Sequence, residues 1–261
     1  MKKFLCLAIA LMMCACAFVS CAQKEDKLIV GYTVYEPMNY EENGKLVGFD
    51  TELAEAVAKE LGMEVEFKLI QWSNKYMELE SGNINCIWNG FTSNCADDDG
   101  VQRSDKVDFS YAYMKNEQCV VIRKADASKY TTADSLNGKK GAAEAGSAGE
   151  NVAKDFAGEN VECTLSTSQL ATLTELASNK VEFVVIDKTM AKTLIGKGDY
   201  ADLAMVETIE IPSEEYSIGF KKGSELTDKV NGALEKLAED GTMTSLAEKY
   251  GLENYVITEF N

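Results

Sequence analysis

The stretch Ile84–Ser110, INCIWNGFTSNCADDDGVQRSDKVDFS, decides the fold that we predict. It begins as an apolar segment in which Ile84, Cys86 and Trp88 alternate, as expected of a buried strand with these side chains on one face. The segment stops at Gly90, and glycine lets other groups approach the backbone closely. The stretch therefore predicts a central strand that ends in a tight turn.

Polar side chains follow this turn. Thr92 supplies a hydroxyl, an acidic run occupies residues 97–99, and Arg103 supplies a guanidinium group. Open α/β sheets bind their ligands beyond the C-terminal ends of their strands. These polar residues are therefore a candidate ligand site.

The segments before this stretch alternate between strand and helix patterns. Residues 28–31 predict a first strand. Residues 51–61 predict a helix that has an apolar stripe and begins after Asp50 as its N-cap. Residues 63–69 predict a half-buried strand, and a short helix over residues 74–81 leads into the central strand. The order β-α-β-α-β favours a parallel sheet with right-handed crossovers.

The N-terminus, MKKFLCLAIALMMCACAFVSC, predicts an export signal that ends at a lipidated cysteine. Two lysines precede an apolar run that is too short for a comfortable membrane span. The residues up to Cys21 resemble the lipobox of bacterial lipoproteins. We expect residues 1–20 to be a signal peptide and residues 21–27 to be the lipidated Cys21 with its tether, although a plainly secreted chain or an uncleaved anchor are alternatives.

Composition excludes several function classes. The chain has 26 basic and 43 acidic residues and a net charge of −17, which disfavours nucleic acid as a partner. It contains no histidine, so Ser-His-Asp and Cys-His catalysis and the usual zinc sites are absent. The acidic run is no calcium loop, because Cys95 and Lys106 stand where such a loop needs acids. We expect neither a cofactor nor a metal.

The cysteines beyond Cys21 have two interpretations. An exported chain permits disulfides. Cys86, Cys119 and Cys163 nevertheless lie in apolar runs where a thiol can pack as a core residue. We predict core thiols, with a bridge from Cys95 as the alternative.

Two features of the second half are ambiguous from the residues alone. The turn over residues 146–149 precedes a helix, so it is either an anion site of backbone N–H groups or an ordinary βα loop. Asp187 follows an apolar strand, so it either caps the next helix or presents its carboxylate to a ligand. The tyrosine-rich loop after the first strand is likewise a ligand wall or a hydrophobic cap.

Seven segments, in order, resemble the bacterial extracellular solute-binding proteins of polar amino-acid ABC importers (family 3 type). They span nearly the whole chain after the signal. The segments are LIVGYTVYEPMNYEENGKLVGFDTELAEAVAKELG, SGNINCIWNGFT, KVDFSYAY, SLNGKK, EAGSAGE, VEFVVIDKTMA and KKGSELTDKVNGALEKLAEDGTMTSLAEKYG.

The resemblance implies an α/β, two-lobed, periplasmic-binding-protein-like (type II) fold, with two αβ domains joined by a two-strand hinge. Residues 28–117 plus 213–261 would form lobe 1, and residues 118–212 would form lobe 2. The crossings would lie near residues 116–118 and 212–216. A cleft between the lobes would close on its ligand.

The resemblance also implies roles for individual residues, because a zwitterionic amino acid needs a partner for each charge. The ligand carboxylate would meet Arg103 and the ammonium would meet Asp187, from opposite lobes. The other implied contacts come from the central turn, the second-lobe helix and aromatic walls. They are Gly90, Thr92, Ser147, Ala148, Trp72, Tyr32, Tyr35 and Tyr216.

One departure from the family's pattern concerns Arg103. The segment SNCADDDGVQ separates it from Thr92, whereas the family has the arginine soon after the threonine. Counting back from Asp108 still arrives at Arg103. The sequence does not define which substrate side chain is bound. Glu36 and Glu144 would favour a basic amino acid if they faced the ligand, but not if they faced water.

The resemblance implies a monomeric lipoprotein outside the cytoplasm that captures a polar amino acid and delivers it to the permease subunits of an ABC importer. The membrane would be contacted through the lipid anchor only. An enzyme on the same fold, such as a dehydratase, is one alternative, but no carboxylate is marked as a general acid. A ligand-sensing or adhesive surface protein is another.

Overall fold

The computed structural model describes residues 27–260. The predicted signal peptide, Cys21 and residues 22–26 lie outside the described residues. Lys27, the last residue of the predicted tether, already begins the first strand. None of the helices within residues 27–260 is both long and apolar enough to cross a membrane.

Short strands alternate with helices along the described chain. The strands are β1 (Lys27–Tyr32), β2 (Tyr40–Glu42), β3 (Lys45–Val47), β4 (Glu64–Leu69), β5 (Cys86–Ile87), β6 (Asp108–Phe109), β7 (Met114–Arg123), β8 (Gly141–Glu144), β9 (Thr164–Ser166), β10 (Phe183–Asp187), β11 (Leu203–Met205), β12 (Ser213–Tyr216) and β13 (Gly219–Phe220). The α-helices are α1 (Phe49–Leu61), α2 (Lys75–Glu80), α3 (Arg103–Lys106), α4 (Ala148–Ala157), α5 (Gln169–Ala177), α6 (Lys188–Leu194), α7 (Leu226–Glu239) and α8 (Thr242–Tyr250).

Two main sheets organise these elements. The first has the strand order β4-β1-β5-β13-β6, and the second has the order β11-β7-β10-β8-β9. β1 runs parallel to both β4 and β5, as the β-α-β-α-β pattern predicts. In the second sheet β10 is parallel to β8 and antiparallel to β7. The architecture therefore consists of two α/β units, each built around its own sheet.

The chain passes between the sheets through two paired strands. β12 is antiparallel to the first half of β7, with Tyr216 opposite Met114 and Ser213 opposite Glu117. β7 continues into the second sheet, and β12 leads back to β13 of the first. This pair of strands therefore links the two sheets.

Apolar runs explain why the sheets are buried on both faces. In β10, Phe183 and Val185 pack into one core cluster, whereas Val184 and Ile186 pack into the cluster on the opposite face. Such a continuous apolar run is typical of a strand covered by helices on both sides.

The central strand differs from its prediction. Cys86 and Trp88 share a core cluster, but Ile84 packs with Ile87 in a different one. The regular strand is only Cys86–Ile87, although the N–H groups of Asn85 and Trp88 on either side of it still donate to carbonyls of β1. The expected single face of Ile84, Cys86 and Trp88 is therefore wrong for Ile84.

The cysteines of the described chain are free thiols. Cys86, Cys119 and Cys163 are buried, as core thiols are, and Cys95 is half-buried without a bridge. No group of three acidic or cysteine side chains within residues 27–260 is arranged to hold a metal ion.

Candidate functional site

A small cavity lies between the two sheets. The first-sheet side supplies Trp72, Asn89, Gly90, Thr92 and Arg103, and the second-sheet side supplies Glu144, Ser147, Ala148, Gln169 and Asp187. Seven of these ten residues are predicted ligand contacts, and an eighth, Glu144, is named in the sequence analysis as a candidate for substrate preference.

The glycine turn after the central strand is held from behind. Gly90 has φ +57°, and a Cβ atom there would lie 2.7 Å from Cε1 of Tyr35 and 3.1 Å from the ring of Tyr216. Only glycine fits this conformation and this close approach. The Gly90 N–H donates to Oδ2 of Asp50 at 3.0 Å.

This last contact corrects the prediction that Asp50 caps a helix. The helix begins at Phe49 with Gly48 in the N-cap position and has no side-chain cap within the described residues. Asp50 reaches the turn at Gly90 instead. Its complete burial raises the pKa of this carboxyl to about 7, while Tyr113 and the Gly90 N–H act in the opposite direction.

The segment between Thr92 and Arg103 folds back on itself. Ala96 and Gln102 form a β-bridge, and the Arg103 N–H donates to the Cys95 carbonyl at 3.1 Å. The extra residues therefore leave as a hairpin whose two ends meet. Nη1 of Arg103 consequently lies 3.1 Å from the Thr92 carbonyl, despite the separation in sequence.

Asp97 in this hairpin fixes the guanidinium. Oδ1 of Asp97 accepts from Nε of Arg103 at 2.8 Å, and Oδ2 accepts from Tyr76 at 2.6 Å and from Lys106 at 2.9 Å. Burial alone would raise the pKa of Asp97, but the Tyr76 hydroxyl and the Arg103 charge outweigh it and hold the pKa at about 2. Arg103 is 1 % exposed, so its charge is presented from a preorganised ion pair.

The second sheet contributes a helix start. Ser147 is the N-cap residue of α4, whose first residue is Ala148, and both line the cavity. No side chain among residues 27–260 caps this helix, so its first-turn N–H groups remain available to a ligand oxygen. Glu150 holds the turn from the far side by accepting from the Gly146 N–H at 2.6 Å.

Hydrogen bonds join the two sides of the cavity, and two of them share one backbone carbonyl. The Gly146 oxygen accepts from Nζ of Lys75 at 2.9 Å and from Nη2 of Arg103 at 3.1 Å. A third contact joins Nδ2 of Asn151 to the Ala96 carbonyl at 3.2 Å. The structure is therefore that of a closed cleft.

Asp187 lies at the end of β10 on the opposite side from Arg103. It occupies the N-cap position of α6, but its side chain makes no capping bond within the described chain. Oδ1 instead accepts from Asn116 at 2.8 Å and from Gln118 and Tyr216 at 2.7 Å each, and Oδ2 accepts from Gln169. Burial raises the pKa of Asp187, and these donors oppose the shift.

A second carboxyl stands directly behind Asp187. Glu214 of β12 accepts from the same two amides, at 2.6 Å from Asn116 and 2.8 Å from Gln118. Burial, and next the charge of Asp187, raise the pKa of Glu214 to about 7. Two buried carboxyls that share the same two amide donors favour holding one proton between them.

Glu144 is the third carboxyl of the site, at the end of β8. It is 4 % exposed, so the possibility that it faces water is wrong. Its Oε1 has no hydrogen-bond partner among residues 27–260. Burial, and next the charge of Asp187, raise the pKa of Glu144 to about 8.

The predicted aromatic walls divide into two groups. Trp72 lines the cavity and packs edge-on against Phe91 with ring centroids 5.3 Å apart. Tyr35 and Tyr216 do not line it; they lie buried behind Gly90 with their hydroxyls 2.9 Å apart. Tyr32 does not line it either and packs edge-on against Phe67.

Two lining residues went unnoticed in the sequence. The side-chain amide of Asn89 forms hydrogen bonds with the Thr33 hydroxyl, the Thr33 carbonyl and the Asn39 side chain. These bonds hold the amide in position beside the cavity. Gln169 begins α5, and its amide pairs with both the side chain and the backbone N–H of Asp187. The position of Asn89 directly before the glycine turn could have indicated its role. Nothing in the local sequence indicates that Gln169 lines the cavity.

Comparisons with known proteins agree on one family. Residues 28–253 match the family model described as bacterial extracellular solute-binding proteins, family 3. The chain is 28% identical to the arginine-binding extracellular protein ArtP of Bacillus subtilis, over 96% of this chain and 98% of that protein. It is 31% identical to the probable amino-acid-binding protein YxeM of Bacillus subtilis, over 99% and 98% of the two chains.

A solved structure gives the same result for the fold. An ancestral arginine-binding protein bound to arginine superimposes with a TM-score of 0.78 at 33% identity, covering 86% of this chain and 98% of that chain. The two sheets and their crossing strands are thus those of a two-lobed, type II periplasmic-binding-protein-like fold. The chain belongs to the bacterial extracellular solute-binding proteins, family 3.

Proposed function

We propose that this protein captures a polar amino acid outside the cell and delivers it to the permease subunits of an ABC importer. The observation that carries the proposal is the placement of Arg103 and Asp187 on opposite sides of one cavity. The similar proteins named above bind arginine or are described as amino-acid-binding, which supports the same ligand class.

The chemistry of the cavity suits the two charges of an amino acid. We assign the ligand carboxylate to Arg103, Thr92 and the helix start at Ser147-Ala148, since a guanidinium and the N–H groups of a first helical turn donate to carboxylate oxygens. We assign the ligand ammonium to Asp187. The backbone turn at Gly90 and the Trp72 ring complete the site as contact surfaces.

Closure follows from this division of charge. We propose that residues 28–117 plus 213–261 and residues 118–212 are the two lobes, and that they move about the paired strands β7 and β12. A ligand that carries both charges contacts both lobes at once only when the cleft is closed. An ion of one sign satisfies one lobe only and therefore does not stabilise the closed state.

The remaining parts of the proposal concern the membrane. We propose that Cys21 carries a lipid that anchors the protein outside the cytoplasm, and that the mature protein is a monomer. The lipobox-like residues before Cys21 support the anchor. Labelling of the expressed protein with a radioactive fatty acid, and loss of the label in Cys21→Ala, would test it.

Isothermal titration calorimetry of the purified protein against the proteinogenic amino acids, ornithine and cystine tests the binding function. We expect one site with a dissociation constant of about 1 μM, which corresponds to about −8 kcal/mol. The ligand should be recovered unchanged after incubation. Turnover of the ligand, or no heat with any member of the panel, would contradict the proposal.

The two alternative functions lack comparable support. Similar proteins named as enzymes, sensors or adhesins would support one of these alternatives. The relatives reported above are named as binding proteins instead.

A further inference from the structure

Glu144 differs from the other charged groups of the cavity because it is buried without a partner. Of the buried polar side-chain atoms that lack a hydrogen bond within residues 27–260, Oε1 of Glu144 is the one that belongs to a cavity-lining residue. A buried carboxyl without a partner either stays protonated or carries a costly unpaired charge. In both cases a polar group lacks a partner at the ligand site, which points to a ligand group that supplies one.

The other charged groups of the cavity already have hydrogen-bond partners. Arg103 is paired with Asp97 at 2.8 Å, and Asp187 accepts hydrogen bonds at both of its oxygens. Lys75, whose charge acts on Glu144, donates to the Gly146 carbonyl and forms no salt bridge with Glu144 in the described chain. If the ligand ammonium pairs with Asp187, as assigned above, a neutral amino acid leaves Glu144 unpaired, whereas a ligand with a second positive group does not.

The position of Glu144 separates it from the site assigned to the ligand ammonium. Glu144 ends β8 and Asp187 ends the neighbouring parallel strand β10, so both carboxyls lie at the same sheet edge on adjacent strands. Adjacent strands are about 4.8 Å apart. A basic amino acid has two cationic groups joined by an aliphatic stem, and the Trp72 ring in the same cavity offers that stem an apolar surface.

We propose that Glu144 receives the positively charged end of the ligand side chain, so that this protein selects basic amino acids over neutral ones. The inference rests on the proposed function and assigns its substrate class. The competing role for Glu144 is a second acceptor for the ligand ammonium, which every amino acid carries. The two roles differ in whether the contribution of Glu144 depends on the ligand side chain.

L-Arginine and L-citrulline provide a matched pair of ligands, since citrulline replaces the guanidinium with a neutral ureido group of nearly the same shape. Calorimetric titration of the unaltered protein should show arginine binding at least about 30-fold more tightly than citrulline, as expected when a buried charge pair loses one partner. This comparison requires no variant. Equal affinities for the two ligands would overturn the proposal.

Glu144→Gln is the matched variant, because it keeps the shape of the side chain and removes its charge. We expect it to weaken arginine binding by at least about 30-fold and to change citrulline binding by less than about threefold. An equal loss for both ligands would assign Glu144 to the ammonium and overturn the proposal, as would no loss for either. Circular dichroism melting checks that the variant is folded.

The outcomes also separate this inference from the proposed function. Tight binding of a neutral amino acid with no preference for arginine would refute the selection by Glu144 and leave amino-acid capture intact. Absence of binding to every amino acid would refute both.

Discussion

Asp187 and Glu214 share the same two amide donors, although one ends β10 and the other lies in the crossing strand β12. Nδ2 of Asn116 lies 2.8 Å from Oδ1 of Asp187 and 2.6 Å from Oε1 of Glu214. Nε2 of Gln118 makes the same pair of contacts at 2.7 and 2.8 Å. The carboxyl assigned to the ligand ammonium is thereby tied to the strand about which the lobes are proposed to move.

The first prediction concerns stability and pH. The pKa of Glu214 is raised to about 7 in the folded protein, chiefly by burial, whereas an unfolded glutamate titrates near 4.3. Between these values the folded state binds more protons than the unfolded state, so its stability falls as pH rises. Glu144 and Asp50 act in the same direction, because burial raises their pKa values too. We expect the ligand-free protein to melt at a lower temperature at pH 7 than at pH 5.

Glu214→Gln removes one titrating group and should make this decline shallower, by up to about 1.4 kcal/mol per pH unit in the free energy of unfolding. Urea unfolding at pH 5, 6 and 7 measures the slope. Glu159→Gln changes an exposed glutamate and serves as the control. A slope that Glu214→Gln leaves unchanged would contradict the protonation state that we assign to the pair.

The second prediction concerns the two ligand charges. Arg103→Ala and Asp187→Ala should each weaken amino-acid binding by at least about 2 kcal/mol, because each leaves one ligand charge unpaired in a closed cleft. Calorimetry with the best ligand of the panel measures the loss. Arg123 and Asp126 form a comparable ion pair at 2.9 Å that does not line the cavity, so their alanine variants control for lost stability. Normal binding by Arg103→Ala would mean that the hairpin has moved the carboxylate site elsewhere.

The third prediction concerns the glycine turn. Gly90→Ala adds a Cβ atom 2.7 Å from the Tyr35 ring at φ +57°, so the ring and the turn must both shift. Gly44→Ala imposes a similar backbone strain at φ +75° with nothing within 4 Å. The difference between them isolates the steric conflict, which we expect to lower the free energy of unfolding by about 1–3 kcal/mol more in Gly90→Ala. Equal destabilisation in urea melts would show that the contact with Tyr35 is easily relieved.

The fourth prediction concerns the support of Arg103. Asp97→Asn removes the charge that holds Nε of Arg103, so the guanidinium loses its preorganised orientation. We expect amino-acid affinity to fall about tenfold, as for the loss of a charge-assisted hydrogen bond. Asp99→Asn removes only the exposed partner of Lys106 and should change the affinity by less than about twofold. Equal effects of the two substitutions would deny Asp97 this positioning role.

Much of the architecture was predictable because its signals are local. The apolar run that ends at Asp187 and the strand-helix alternation before Gly90 each specify an element without reference to distant residues. Arg103 is singled out by counting back from Asp108, and it lines the cavity.

The remaining features depend on three-dimensional contacts that no local pattern encodes. Gln169 meets Asp187 only because α5 begins beside the end of β10. Glu144 is buried at the end of β8, where it lines the cavity. The alanine and glycine residues around it in the sequence did not indicate that this glutamate would be buried. Tyr35 and Tyr216 lie behind the turn, because an aromatic residue in a loop does not reveal which side of a glycine it will cover.

The hairpin between Thr92 and Arg103 has a consequence for how such sequences diverge. Its ends are joined by the Ala96–Gln102 bridge and by the Arg103 N–H bond to Cys95, so residues can be gained or lost at its tip without translating the guanidinium. We therefore expect natural variation in the length of the chain to accumulate at the hairpin tip. A hairpin of unusual length does not indicate that ligand binding has been lost.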